Sequence, residues 1–537
     1  MKKTCLYRIV MLLISTGAFA QSAKVTVVIV NTPYFEGYTT LSNQTAKYDP
    51  AKKGVNYLLL NTNHKSATCT FNLAEPTFIT LSLSYALAKS TITDKYFSYN
   101  LFLTPGDELT VKIDPTKKTN NIAVTGTGSN NNQPEIFALT EMDTEPFKGD
   151  KTPDRIIAAI NRQNSINKKI LTNYVKKYKP STAFIKNAQL NMVYLGPETF
   201  YEFNHNNNFG RSELYLRKWQ KVQDSLFASV VVNGSDRKTS GRKGDLPNIS
   251  IANNDKAKAT GLNSDEALTS YNYPKLIFWF CLREKERLWM EEQDHPTSFY
   301  KQWYHTAPNK GKASFRDERS SLLVEKLINK YFTGKAAEFA YSNLLKYNLY
   351  SSNYQNIPLI FDHFRQKFPD SKYIAEFTAP VNEIAKKQSS QLNDKMVFVA
   401  NNGTKLNTLK EVLALTKGKT VLVDMWGIWC SPCREEIEKN AVALETYFKG
   451  KKVDFLYIDS HDVNNESGWK KLIAYYHMEG MHILANDKLD KDIMKKTGGQ
   501  GYPTYFIIKK DGSYGLTKTQ YPINRQAMIN ELLAASK

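Results

Sequence analysis

The spacing of apolar positions changes twice along the chain. From about residue 24 to 128 the apolar residues come in short runs rich in β-branched and aromatic side chains: Val25–Val30, Tyr57–Leu60, Thr68–Leu73, Phe78–Leu83, Tyr99–Leu103, Leu109–Ile113 and Ile122–Thr125. Turn signals such as Pro105-Gly106-Asp107 and Asp114-Pro115 separate them. Roughly seven short strands at this spacing predict an all-β sandwich. From about 134 to 388 the spacing becomes helical, as in Ile156, Ile157, Ile160 and Leu322, Leu323, Leu327. Pro134, Pro153, Pro180 and Pro369 fall where helices start or stop. This stretch predicts an all-helical middle domain without a chemical motif.

The last 145 or so residues alternate between the two periods. Thr420 to Trp426 is almost continuously apolar, the mark of a strand buried on both faces. A helical stripe of Ile437, Ala441, Leu444 and Phe448 follows and stops at Gly450. Val453–Ile458 predicts a second buried strand, and Trp469, Leu472, Ile473 and Tyr476 another helix. His482–Leu484 and Thr504–Ile508 predict strands, the latter entering a hairpin at Asp511-Gly512. A last helix is expected from about Arg525 to Ala534. The whole reads as a multidomain chain: leader 1–20, β-sandwich domain 21–130, helical domain 131–388 and an α/β domain 389–537.

Composition adds bounds. A length of 537 residues exceeds what one core supports, and 41% hydrophobic with 12% aromatic residues fits folded domains rather than disorder. Lys2, Lys3 and Arg8, the apolar Ile9–Ile14 and the small-x-small Ala18-Phe19-Ala20 form a secretory leader. Cys5 precedes the apolar run, which disfavours lipidation after cleavage. No segment is long enough to span a bilayer, so the mature chain is expected to be soluble outside the cytoplasm. The net charge of +20 is densest between Arg237 and Lys258. That stretch is rich in Ser, Gly and Asn. It reads as a solvated loop rather than an anion-binding patch, lacking interleaved aromatics and any groove-reading motif, so no nucleic-acid partner is expected.

Four cysteines follow the leader: Cys69, Cys281, Cys430 and Cys433. Cys69 lies in a strand-like run and Cys281 in a helical one, both expected buried and inert. Cys430-Ser431-Pro432-Cys433 has the spacing of a redox pair. A zinc site would need two further ligands, and neither a second Cys-x-x-Cys nor a spaced Cys/His pair is present. His461, His477 and His482 are scattered and read as surface or core residues. No metal or cofactor is expected.

Cys430 stands where a buried strand enters a helix, and orphan N–H groups with the macrodipole favour its thiolate. Lowering a thiol from about 8.5 to about 7 takes roughly 2 kcal/mol. It raises the thiolate fraction about fifteen-fold near neutral pH, while lost nucleophilicity returns about five-fold, leaving about three-fold. The pair therefore depends on neighbours. Cys433, one turn inward, suits the resolving thiol. Asp424, the one ionisable group in its strand, is expected to be desolvated and to accept the Cys433 proton; its plainer role is a structural aspartate satisfied by backbone. Pro503, if cis, would leave the Tyr502 carbonyl open to a substrate backbone.

The motifs "VLVDMWGIWCSPCREE" and "GYPTYFIIKKDG", with a long gap between them, resemble the TlpA/ResA-like branch of the thioredoxin superfamily. The resemblance covers the C-terminal 145 or so residues. It implies a thioredoxin-like fold with an inserted helix and strand, and a thiol–disulfide oxidoreductase. In it Cys430 attacks, Cys433 resolves, Asp424 is the buried aspartate and Pro503 the cis-proline. Glu436 matches an acidic residue often carried there. Trp429, Tyr502 and Glu436 are taken as the docking surface. Glu438 replaces the helix proline usually found at its position, and Met425 and Gly427 replace the usual Phe and Ala. The overall layout, with "LTPGDELTV" and "VTGTGSNNN", resembles envelope proteins of Gram-negative bacteria, implying a periplasmic location but no activity. Disulfide-containing envelope proteins are the expected substrates, and a reductase in an oxidising compartment needs a feeding partner, so a membrane electron donor is expected. Ser431-Pro432 lacks the histidine of strongly oxidising pairs, which favours reduction. A scaffold whose thioredoxin-like domain docks partners is the alternative. A peroxidase is disfavoured by Gly427, where peroxidatic sites carry Thr.

Overall fold

The computed structural model describes residues 21–32, 34–42, 55–86, 95–117, 121–139, 142–206, 262–318 and 320–537. The expected leader 1–20 and the basic stretch 237–258 lie outside them. The chain divides into two compact units, Met1–Ala340 and Tyr341–Lys537.

In the first unit, β1 (Gln21–Ile29), β4 (Ser66–Leu73), β7 (Glu108–Ile113) and β8 (Ile122–Thr127) form a sheet in the order β4-β1-β7-β8. A second sheet has the order β3-β2-β5-β6, from β2 (Glu36–Ser42), β3 (Val55–Asn61), β5 (Thr77–Ala86) and β6 (Lys95–Leu103). Alternate residues of both sheets, among them Val25, Val27, Leu41, Leu81, Leu101 and Val111, meet in one hydrophobic cluster. Strand β2 is the one the hydrophobic pattern missed: its buried positions include Thr39, whose hydroxyl donates to the Ser82 carbonyl. Helices α1 (Asp154–Tyr178), α2 (Thr182–Asn206), α3 (Asn272–Asp294), α4 (Pro296–Tyr304), α5 (Pro308–Glu318) and α6 (Ser321–Tyr331) follow, then α7 (Gly334–Tyr350). The boundary expected at 130/131 falls inside this unit. Phe78 and Phe102, on strands of the second sheet, pack with Leu171, Tyr174 and Phe184 of the helices in a single cluster.

The second unit contains α8 (Ile357–Lys367), α9 (Ile374–Gln388) and a six-stranded sheet of order β14-β13-β10-β11-β12-β9. Its strands are β9 (Met396–Phe398), β10 (Val421–Trp426), β11 (Asp454–Ser460), β12 (Gly480–Ala485), β13 (Thr504–Ile508) and β14 (Tyr514–Leu516). β10, β11, β12 and β9 are parallel; β13 and β14 run antiparallel. Between strands lie α10 (Leu409–Leu415), α11 (Ser431–Glu436), α12 (Val442–Phe448), α13 (Glu466–Tyr476) and α14 (Asp487–Thr497), and α15 (Arg525–Ala535) ends the chain. This unit takes in the segment before residue 389: Lys387 pairs with Glu438 at 3.2 Å, and the Tyr354 ring lies 5.6 Å from Tyr475.

Packing on both faces explains why β10 is buried throughout. Val421, Val423 and Met425 join Leu409, Val412, Leu489 and Ile493 on one face. Leu422 joins Leu444, Phe448, Met528 and Leu532 on the other. Asp424 is an even position of the strand, so it faces the side packed by the α11–α12 helix.

Candidate functional site

Cys430 ends the loop after β10 and caps α11: the Cys433 N–H donates to its Sγ at 3.2 Å, and the Arg434 N–H to its carbonyl at 3.1 Å. Cys430 and Cys433 form a disulfide, and both are buried. Between α11 and α12 the helix loosens into a π-turn, Ile437–Ala441. Glu438 sits in that turn, so the redox helix carries a local irregularity without proline.

Asp424, on the strand that leads to the pair, is buried, with Oδ1 accepting no hydrogen bond. Burial, and then the Glu436 charge, push its carboxyl well above the usual range. A leucine in its place would add roughly 2 kcal/mol of favourable burial, whereas an unsatisfied buried oxygen costs roughly 1–3 kcal/mol. The carboxyl is thus a costly group to bury unless a water pairs with it. Asp424 and Glu436 line a cavity of about 20 Å³ together with Asn440, Tyr457 and Tyr505. That is room for one water.

Glu436 does not belong to a docking surface. It is buried, and its Oε2 accepts from Asn440 Nδ2 at 2.9 Å and the Ile523 N–H at 3.1 Å. The expectation failed because residue 436 lies on the inward side of α11, beside Cys433. Trp429, by contrast, is 51% exposed beside Cys430. Its Nε1 donates to the Ser460 carbonyl at 3.0 Å, and its ring stands 5.4 Å from Tyr502. Tyr502 donates to buried Asp490 at 2.5 Å, and the Tyr502–Pro503 bond is cis. Gly427 makes space for the indole: a Cβ there would come within 2.5 Å of Trp429 Nε1.

Two residues near this platform escaped the sequence reading. His461 adopts φ 68° and places its ring 6.1 Å from Trp429 and 6.0 Å from Tyr502, with Asp490 at 3.6 Å. Asp462 accepts the Ile428 N–H at 2.9 Å, fixing the loop before Cys430. Nothing in linear spacing marks either one; only the β11 turn brings them here. His482 is a core residue, stacked on Tyr457, and burial pushes its imidazole down to about 4. Cys69 and Cys281 are buried thiols of the first unit, and burial pushes the Cys281 thiol up. Among the described residues no cluster of His, Cys, Asp and Glu could hold a metal, and no helix is long and apolar enough to cross a membrane.

This arrangement defines a thioredoxin-like domain, and residues 418–514 match the thioredoxin-like family model Thioredoxin_8. Among curated proteins, the chain is 32% identical over 96 residues to the thiol-disulfide oxidoreductase ResA of Bacillus thuringiensis, covering 18% of this chain and 52% of that protein. It is 33% identical over 109 residues to ResA of Bacillus cereus, covering 20% of this chain and 60% of that protein. The chain thus spans about half the length of the curated relatives it matches. Among solved structures, the thioredoxin domain of a thiol-disulfide oxidoreductase from Bacteroides vulgatus is 24% identical, covering 22% of this chain and 84% of that one, with a TM-score of 0.20.

Proposed function

We propose that the protein is a thiol–disulfide oxidoreductase that reduces disulfides of envelope proteins in a Gram-negative periplasm. The observation that carries this reading is the disulfide-bonded Cys430–Cys433 pair at a helix start, led into by a strand that holds the buried Asp424 carboxyl with Oδ1 unpartnered. In the cycle, the Cys430 thiolate attacks a substrate sulfur and displaces the other sulfur as a thiolate, which is protonated. Cys433 gives up its proton toward Asp424, directly or through one water, and attacks Cys430 Sγ, expelling the substrate's second sulfur as a thiolate that takes up that proton. The substrate leaves as a dithiol, and the enzyme holds the disulfide. Two electrons and two protons have moved, and a membrane-bound donor restores the dithiol. Trp429, Tyr502 and Pro503 flank the cysteines as the docking surface, and the 1–20 leader supports export.

The test is dithiol-dependent insulin reduction, expected in the wild type and abolished in Cys430→Ser. Cys433→Ser should accumulate mixed disulfides with envelope proteins. An intact rate in Cys430→Ser would refute the reading.

A further inference from the structure

Arg434 follows Cys433 and is only 9% exposed. Among the described residues its guanidinium makes no ion pair with a carboxylate at contact distance. Instead it holds carbonyls of two separate loops. Its Nη1 donates to the Ile428 carbonyl, in the loop that delivers Cys430. Its Nε donates to the Ser352 carbonyl at 3.1 Å and its Nη2 to the Ser351 carbonyl at 3.3 Å, in the loop after α7. The Ser431 hydroxyl, between the two cysteines, donates to the same Ser351 carbonyl at 2.6 Å.

The receiving loop is built for this contact. Ser352 adopts φ 51°, an uncommon conformation for a residue with a Cβ, and both of its flanking peptide carbonyls meet the guanidinium. Further anchors hold it: Tyr354 donates to Glu438 at 2.8 Å, and Gln388 Nε2 donates to the Tyr354 carbonyl at 2.7 Å. Glu438 and Arg434 are one turn apart on the redox helix, so one helix face grips the loop at two points. A planar fork can bridge carbonyls in two loops at once, whereas an ammonium is a point donor on a flexible stem.

We propose that the loop at residues 351–355 is a positioning element of the redox site and that Arg434 is the positioning residue joining it to the Cys430 loop. The clamp sets the balance between dithiol and disulfide by fixing Ile428, Ser431 and the helix start relative to each other. This deepens the redox reading of the same site and rests on it.

The test measures the Cys430–Cys433 pair in the full-length protein, by equilibration with reduced and oxidised glutathione and by the rate of Cys430 alkylation across pH. Arg434→Lys keeps the charge but cannot make the fork. It should shift the glutathione equilibrium constant at least about threefold and move the alkylation profile, as Arg434→Met should. Ser352→Pro, which cannot adopt φ 51° and lies outside the redox helix, should shift both in the same direction. A merely stabilising contact would lower the melting temperature and leave equilibrium and profile unmoved. Arg434→Lys behaving as wild type, or Ser352→Pro leaving the equilibrium unchanged, overturns the proposal. Both readouts are independent of substrate turnover, so failure of insulin reduction in the wild type would count against the proposed function alone.

Discussion

At the scale of single residues, Asp424 and His482 make opposite use of burial. Asp424→Asn removes the proton acceptor and should slow resolution of the mixed disulfide on the order of a hundredfold near pH 7, read by stopped-flow quenching. Its folded-state carboxyl lies above the unfolded value, so folding keeps a proton that the unfolded chain releases as pH rises. Wild-type stability should therefore decline above the usual carboxylate range, and Asp424→Asn should blunt that decline. His482 has the reverse sign. Its folded value of about 4 lies below the ordinary imidazole, so stability present above pH 6.5 is lost as pH falls toward 4. Between pH 7 and pH 5 the wild type should lose about 2 kcal/mol more than His482→Gln, measured by urea unfolding. Gly427→Ala should displace the Trp429 indole and raise KM for protein disulfides with a smaller effect on small disulfides. Asp424 was legible because a lone charge in an apolar strand is conspicuous. His461 and Asp462 were not, since polar residues in a turn look like any turn.

Among the elements, the redox helix is where packing and chemistry meet. Leu444 is buried against Leu422 and Leu532, while Val442 is 46% exposed. Leu444→Ala should cost about 2–5 kcal/mol, and Val442→Ala well under 1 kcal/mol, by denaturant unfolding. The π-turn between α11 and α12 inserts one residue into the helical period, yet the stripe Ile437, Ala441, Leu444 and Phe448 was still legible from sequence. The irregularity itself was not, because Glu438 stands where a proline would have marked a break. Short elements were hard to see for a different reason. β9 has only three residues, and its Val397 is 51% exposed, so no alternation could announce it.

For the molecule as a whole, the second unit includes α8 and α9, and its integrity should depend on them. A fragment 341–537 should unfold cooperatively, and a fragment 389–537 should melt several degrees lower, having lost the Arg434, Glu438 and Tyr475 contacts; calorimetry compares the two. Sequence alone placed the strands and helices of this unit close to where they lie, because period two and period 3.6 are local signals. It did not show which segments pack into one unit, because side chains such as Phe102 and Arg434 find their partners far along the chain. The burial of Cys69 and Cys281 has a consequence of its own. Four described thiols could pair in three ways if all were accessible, but only Cys430 and Cys433 share a turn. All four are buried, so what sets the pair apart is adjacency and not exposure: it closes within one helical turn while Cys69 and Cys281 remain thiols.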